Sequence, residues 1–230
     1  MASSTVENYV KQIYLLQQRD PGKRVLMGLL AEAMRVVPGT ATTMIKALAD
    51  SGLVKYAPRS GVRLTRGGEQ LALHVLRRHR LIELFLVKTL GFDWSEVHAE
   101  AEELEHAISD KVLDRIDALL GHPKTDPHGD PIPSRKGEVA STPATSLLDC
   151  AVGRLLCITR ILDQESAFLD FLKRSNLTPG RTVRVEHRDE AAGALTVRVA
   201  SGSSVTVGHT AAAKILVAAD RAKAQKKYFF

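Results

Sequence analysis

Residues 36–56 read VVPGTATTMIKALADSGLVKY, and this stretch decides the N-terminal fold. Pro38 suits the first turn of a helix, where a missing N–H costs nothing and a fixed φ helps. Met44, Ile45 and Leu48 then share one helical face, and Ser51-Gly52 supplies the stop. Beyond it, Leu53–Ala57 has the composition of a strand, PRSG (58–61) is a turn and Val62–Thr65 is a returning strand. Upstream, TVENYVKQIYLLQQ (5–18) places Val6, Tyr9, Val10, Ile13 and Leu16 near 3.6-residue spacing, with Thr5 as the expected N-cap. RDPGK (19–23) is a turn, and Leu26–Met34 forms a short second helix. Helix, helix, turn, helix, hairpin is the order of a winged helix-turn-helix.

Charge points the same way. The 230 residues have a net charge of +6, unevenly spread. Residues 1–80 carry 13 Lys/Arg against 5 Asp/Glu, a net of +8; residues 81–134 carry 4 against 12, a net of −8; the remainder carries 15 against 9, a net of +6. A basic N-terminal segment suggests a polyanion partner, and an acidic middle attracts cations. In the third helix Thr40, Thr42, Thr43 and Lys46 are the candidate contacts to DNA, joined by Arg59 and Arg63 on the hairpin. Small hydroxyls allow close approach to base edges, and basic groups neutralise phosphates. No apolar run is long enough to cross a bilayer and no signal pattern opens the chain, so a soluble cytoplasmic protein is expected.

From Thr65 a long helix runs to about Leu90, and GFDWSEVH (91–98) turns into the next one. Ser109 is the expected cap of a further helix through Leu120. HPKTDPHGDPIPS (122–134), rich in proline and glycine, is an ordered loop or a linker. Leu156–Leu172 reads as helical, and on a helix Cys150 and Cys157 would share a face as small buried hydrophobes. After that, Val183/Val185, Leu195/Val197/Val199, Val205/Val207 and Ile215/Val217 alternate, the pattern of a small antiparallel β-barrel or sandwich. The tail DRAKAQKKYFF is basic.

HAEAEELEH (98–106) holds four carboxylates and two imidazoles without a lysine or arginine. On a helix His98, Glu102, Glu105 and His106 fall at i, i+4, i+7 and i+8, one stripe. His79 and Glu83 make an i, i+4 pair on the preceding helix. Two such helices facing each other offer three imidazoles and three carboxylates, a donor set that suits Mn(II) or Fe(II) and also binds Co, Ni and Zn. A solvated acidic face is the bland reading of either stretch alone. HExxH, Walker A, GxSxG and a strand-borne GxGxxG are missing, so neither a zinc-protease site nor a nucleotide cofactor is indicated. With no nucleophile or general base beyond the ligands themselves, an enzyme is not expected.

ENYVKQIY (7–14), TATTMIKALADSGLVKY (40–56), RHRLIELFL (78–86), VHAEAEELEHAISD (97–110) and PHGDPIP (127–133), in this order, resemble the diphtheria-toxin-repressor family of metal-dependent transcriptional regulators. The resemblance implies a mainly α fold with small β parts: a winged helix-turn-helix over 1–72, a helical metal-binding and dimerisation domain over 73–140, and an SH3-like, FeoA-like β-barrel over 148–220, followed by a basic tail at 221–230. It implies a homodimer whose metal occupancy promotes binding to a palindromic DNA operator. It places His79, Glu83 and His98 in one ligand set and Glu102, Glu105 and His106 in another. Glutamate at 102 resembles the manganese-sensing branch; the iron-sensing branch has cysteine there. Two positions depart from the pattern. Asn8 stands where the family has methionine or aspartate, and Lys11 stands where the manganese branch has glutamate. A lysine there would repel a second cation. One ion on the 79–106 ligands, or one at His79, Glu83 and His98 completed near Gln164 or Glu165, are both consistent with these changes. A winged-helix regulator with a degenerate metal site and metal-independent DNA binding is the alternative.

Overall fold

The computed structural model describes residues 3–140, 143–200 and 202–219, so the basic tail lies outside the described residues. The chain divides into two compact units. One holds the chain up to His79 together with 105–108 and 133–139; the other holds 80–104, 109–132 and the chain from 140 onward.

The first unit begins with α1 (Ser4–Arg19), α2 (Met27–Ala33) and α3 (Pro38–Asp50). It continues into the hairpin β1 (Val54–Ala57) and β2 (Gly61–Leu64) and the start of α4 (Arg66–Leu90). Ser3, not Thr5, caps α1: its backbone is extended and its hydroxyl accepts the Val6 N–H, whereas Thr5 is already inside the first turn. Proline at the start of α3 and Gly52 beyond its end, with φ of +72°, bound that helix as expected. Tyr9, Ile13, Leu30, Ala41, Ile45, Leu48, Val54 and Val62 form the core. Val25 exchanges both backbone hydrogen bonds with Val62 and so adds a third short rung to the hairpin. Gly61 is required for this closeness. A Cβ there would lie 2.3 Å from the Val25 carbonyl oxygen, and its φ is +100°.

The second unit contains the rest of α4, then α5 (Val97–Leu104) and α6 (Asp110–Leu119). Ser109 caps α6 through the Val112 N–H, as its position in the sequence indicates. The chain then builds β3 (Thr145–Ser146), β4 (Leu155–Ile161), α7 (Ser166–Arg174), β5 (Thr182–Asp189), β6 (Ala194–Val199), β7 (Ser204–Gly208), α8 (His209–Ala212) and β8 (Ile215–Ala219). The six strands lie in the order β3-β8-β4-β5-β6-β7, every neighbouring pair antiparallel. Val183, Val185, Leu195, Val197, Val199, Val207, Ile215 and Val217 are all buried in its core. Among the described residues, no helix is long and apolar enough to cross a membrane.

Three further expectations are corrected. Residues 155–161 form β4 rather than the start of a helix, and Leu156 and Ile158 alternate inward as a strand requires. Cys157 therefore lies on a strand and Cys150 follows a short 3-10 turn, so they do not share a helical face, although both are half-buried free thiols. The helix expected to carry the whole 98–106 stripe ends at Leu104. Glu105 and His106 occupy a turn, so the acidic stripe is broken in two.

Candidate metal centre and nucleic-acid interface

α3 turns Ala41, Ile45 and Leu48 inward. Thr43 and Lys46 are thereby exposed on the opposite face, with Thr40 exposed beside them and Thr42 half-buried. The Thr42 and Thr43 hydroxyls donate to the carbonyls of Pro38 and Gly39 at 2.8 and 3.1 Å, which leaves their oxygen lone pairs outward. Arg59 sits exposed at the tip of the hairpin with φ of 64°, and Arg63 is exposed on β2. Arg24, Lys55, Arg63 and Arg66 line one cleft at the hairpin. Arg24, Lys55 and Arg66 were not among the residues singled out from the sequence; only the general basic charge of the segment marks them.

Within the second unit, Glu83, Asp126 and His128 bring ligand atoms within 4.8 Å of one another, and all three residues are buried. Glu83 comes from α4. The other two come from the loop after α6, which the sequence marked as irregular without marking its chemistry. That loop is rigid for local reasons. Asp126 Oδ1 accepts the N–H groups of His128 and Asp130 at 2.8 and 2.9 Å. The Ile161 N–H donates to the His128 carbonyl, and a Cβ at Gly129 would meet the Thr159 carbonyl oxygen at 2.0 Å. One Asp126 oxygen is thus spent on the turn. The other, Oδ2, is buried and accepts no hydrogen bond among the described residues.

His128 is oriented as a ligand would be. Its Nε2 lies 2.9 Å from the Trp94 carbonyl, which can only accept, so Nε2 carries the proton. Nδ1 then holds a lone pair in the neutral ring, is buried, and has no hydrogen-bond partner among the described residues. It points toward Glu83 Oε2 across 3.8 Å, too far for a hydrogen bond. Trp94 stacks on the ring at 5.5 Å between centroids. Asp130, two residues on, takes Arg160 and Arg80 as ion partners and the Gln164 amide at 3.1 Å. Arg80 reaches Asp126 only at 3.8 Å. Burial first, then the charges of Asp130 and Glu83, push the Asp126 carboxyl well above its ordinary range. This pocket holds Asp126, whose cation Arg80 stays at 3.8 Å, a second acid in Glu83, an oriented imidazole and two unsatisfied donor atoms. Those features fit a divalent cation of the Mn(II) or Fe(II) kind.

The sequence-derived ligands divide between the units. Glu83, His98 and Glu102 lie in the second: His98 Nδ1 is 3.3 Å from Glu83 Oε1, and its Nε2 is 3.6 Å from Glu102. Gln164 reaches the 126–130 loop through Asp130, and Glu165 is exposed at the start of α7. His79, Glu105 and His106 lie in the first unit. His79 Nδ1 is 2.7 Å from Glu105 Oε2, and Lys11 Nζ is 2.6 Å from Glu105 Oε1. Burial alone would raise the Glu105 carboxyl, but the hydrogen bonds and charges of His79 and Lys11 pull it below its ordinary value. Sequence reading missed Asp126 and His128. The available signal was DPHGD itself: two carboxylates and an imidazole inside five residues, in a loop too rich in proline and glycine to be an acidic helix face.

Comparison with known proteins finds three family matches in succession along the chain. Residues 1–62 match the model of the iron dependent repressor N-terminal DNA binding domain, and 65–134 match that of its metal binding and dimerisation domain. Residues 145–219 match the FeoA domain. The iron-dependent repressor IdeR of Mycobacterium tuberculosis (strain ATCC 25618 / H37Rv) is 30% identical over 226 residues, covering 93% of this chain and 96% of that protein. The diphtheria toxin repressor of Corynebacterium diphtheriae is 30% identical over 195 residues, covering 80% and 85%. Among solved structures, a manganese-dependent transcriptional repressor in complex with manganese superposes with a TM-score of 0.85 at 41% identity, covering 93% of this chain and 99% of that one. The manganese regulator SloR gives 0.74 at 32% identity, covering 94% and 98%.

Proposed function

Because this chain belongs to the iron-dependent repressor family, with its winged helix, metal-binding dimerisation domain and FeoA module, we propose that Mn(II) or Fe(II) held by Glu83, Asp126 and His128 switches it onto operator DNA. It is a metal-dependent transcriptional repressor and not an enzyme. The observation that carries the metal assignment is the buried trio itself, its ligand atoms within 4.8 Å of one another, with Asp126 Oδ2 and His128 Nδ1 unsatisfied. Bound there, the ion supplies the positive charge Asp126 lacks and joins α4 to the 126–130 loop. His98, 3.3 Å from Glu83, is the nearby exposed donor that can complete the shell. Glu102, 3.6 Å from His98, is the further candidate from the same acidic segment.

On the DNA side, Thr40, Thr42, Thr43 and Lys46 are proposed to enter the major groove, and Arg59 and Arg63 to hold the flanking phosphates. Arg24, Lys55 and Arg66 extend the same basic surface. The active species is a homodimer on a palindromic operator. Two helices reading two half-sites gain both affinity and specificity over one.

Fluorescence anisotropy of labelled DNA from the gene's own upstream region tests this. Mn(II) or Fe(II) is expected to tighten binding by orders of magnitude at fixed salt. Equal affinity with the metal and with a chelator would overturn the sensing assignment and favour the metal-independent alternative.

A further inference from the structure

The first unit contains a second acidic cluster, and its charge balance differs from that of the Glu83 trio. Glu105 meets Lys11 of α1 in an ion pair of 2.6 Å, with both side chains shielded from solvent. Glu7 of α1 meets Arg78 at 3.0 Å, and Arg78 also donates to the Glu105 carbonyl at 3.0 Å. Two carboxylates are therefore matched by two permanent cations. His106 completes the arrangement. Its Nδ1 is 2.8 Å from Glu7 Oε2, and its Nε2 is 2.9 Å from Asn8 Oδ1. A histidine engaged through both nitrogens presents no lone pair to an ion, whichever way the Asn8 amide is turned.

The family resemblance places a second metal at Glu102, Glu105 and His106, with help from α1 at Asn8. The residues present do not fit one. A divalent cation would add two charges to a buried cluster that is already neutral, and would have to displace an ammonium from a solvent-shielded carboxylate. Asn8 brings no charge to offset that cost.

We propose that Lys11 takes the place of the second ion: its tethered ammonium closes this cluster, so α1 is fixed to residues 105–106 without metal and each subunit holds its regulatory ion outside the cluster. This rests on the metal-responsive reading above and narrows it, since Glu105 and His106 become structural partners of α1.

Bound manganese, counted per subunit after equilibrium dialysis of the full-length protein at matched free Mn(II), tests the proposal. Lys11→Met keeps the buried stem and removes the charge, and should retain one more ion per subunit than the wild type. Lys11→Gln, whose amide still donates to Glu105, carries the same expectation should the methionine variant fail to fold. Equal counts in wild type and the Lys11 variants would overturn the proposal. Asp126→Ala, run in parallel, should hold one ion fewer than wild type. If it does not, the Glu83–Asp126–His128 assignment fails, while the Lys11 proposal is still decided by its own increment.

Discussion

Glu105 and Asp126 are both buried acids, each with one oxygen held by a neighbour in its own unit, and their carboxyls shift in opposite directions. Glu105 has an ammonium at 2.6 Å on its other oxygen. Asp126 has burial, two like charges and an arginine no closer than 3.8 Å. The comparison teaches that an acidic cluster is not a metal site by composition. What distinguishes the two is whether the chain supplies its own cation. Where it does, the cluster is a structural joint; where it does not, the charge deficit is the affinity for an ion.

The comparison can be broken most sharply at Lys11. Lys11→Ala leaves Glu105 buried with half its compensation, and such removals cost about 3–5 kcal/mol. Urea unfolding in chelator, at fixed protein concentration, should show that loss, and Lys11→Ala/Glu105→Ala should recover much of it. A negligible loss in the single variant would mean the ion pair is no joint. Next in size, Asp126→Ala should weaken Mn(II) binding about 100-fold or more, beyond the usual penalty for losing an outer-shell partner, with calorimetry as the readout. Unchanged affinity would remove Asp126 from the centre.

The pH responses should diverge. The lowered Glu105 carboxyl contributes stability that is present above its ordinary value and is lost as pH falls through its lowered one. The raised Asp126 carboxyl, in chelator, contributes stability that is present below its ordinary value and is lost as pH rises through its raised one. Glu105→Gln should therefore flatten the acid limb of stability against pH, and Asp126→Asn the limb above it. Identical profiles would show that the two sites do not differ as described. The smallest effect belongs to Lys46→Ala. With metal saturating, it should reduce the slope of log affinity against log salt by about 0.9 and leave the manganese midpoint of DNA binding unmoved.

Much of the fold was legible because it is written in local periodicity. Ala41, Ile45 and Leu48 repeat at helical spacing, Val183 to Val217 repeat at strand spacing, and the cores follow. LLCITRI (155–161) misled because a short apolar run fits a buried strand as well as a helix, and its partners in β5 and β8 are distant in sequence. The end of α5 was hidden for a similar reason. Its hydrophilic pattern continues past Leu104, but Glu105 is drawn to Lys11, 94 residues away. The metal centre was half legible. Glu83 lies on a helix with a visible partner at His79. Asp126 and His128 sit in a loop where no period announces them, and only the tertiary fold reveals that Asp126 has one oxygen left over.

The Lys11–Glu105 pair has one more consequence, seen in terms of effective concentration. A free ion leaves its site when the surrounding metal falls, but an ammonium on α1 is held beside its carboxylate by the chain at a local concentration no chelator can dilute. Depletion would then empty the Glu83 centre alone, leaving α1 seated, so that the return of metal rebuilds one site rather than two.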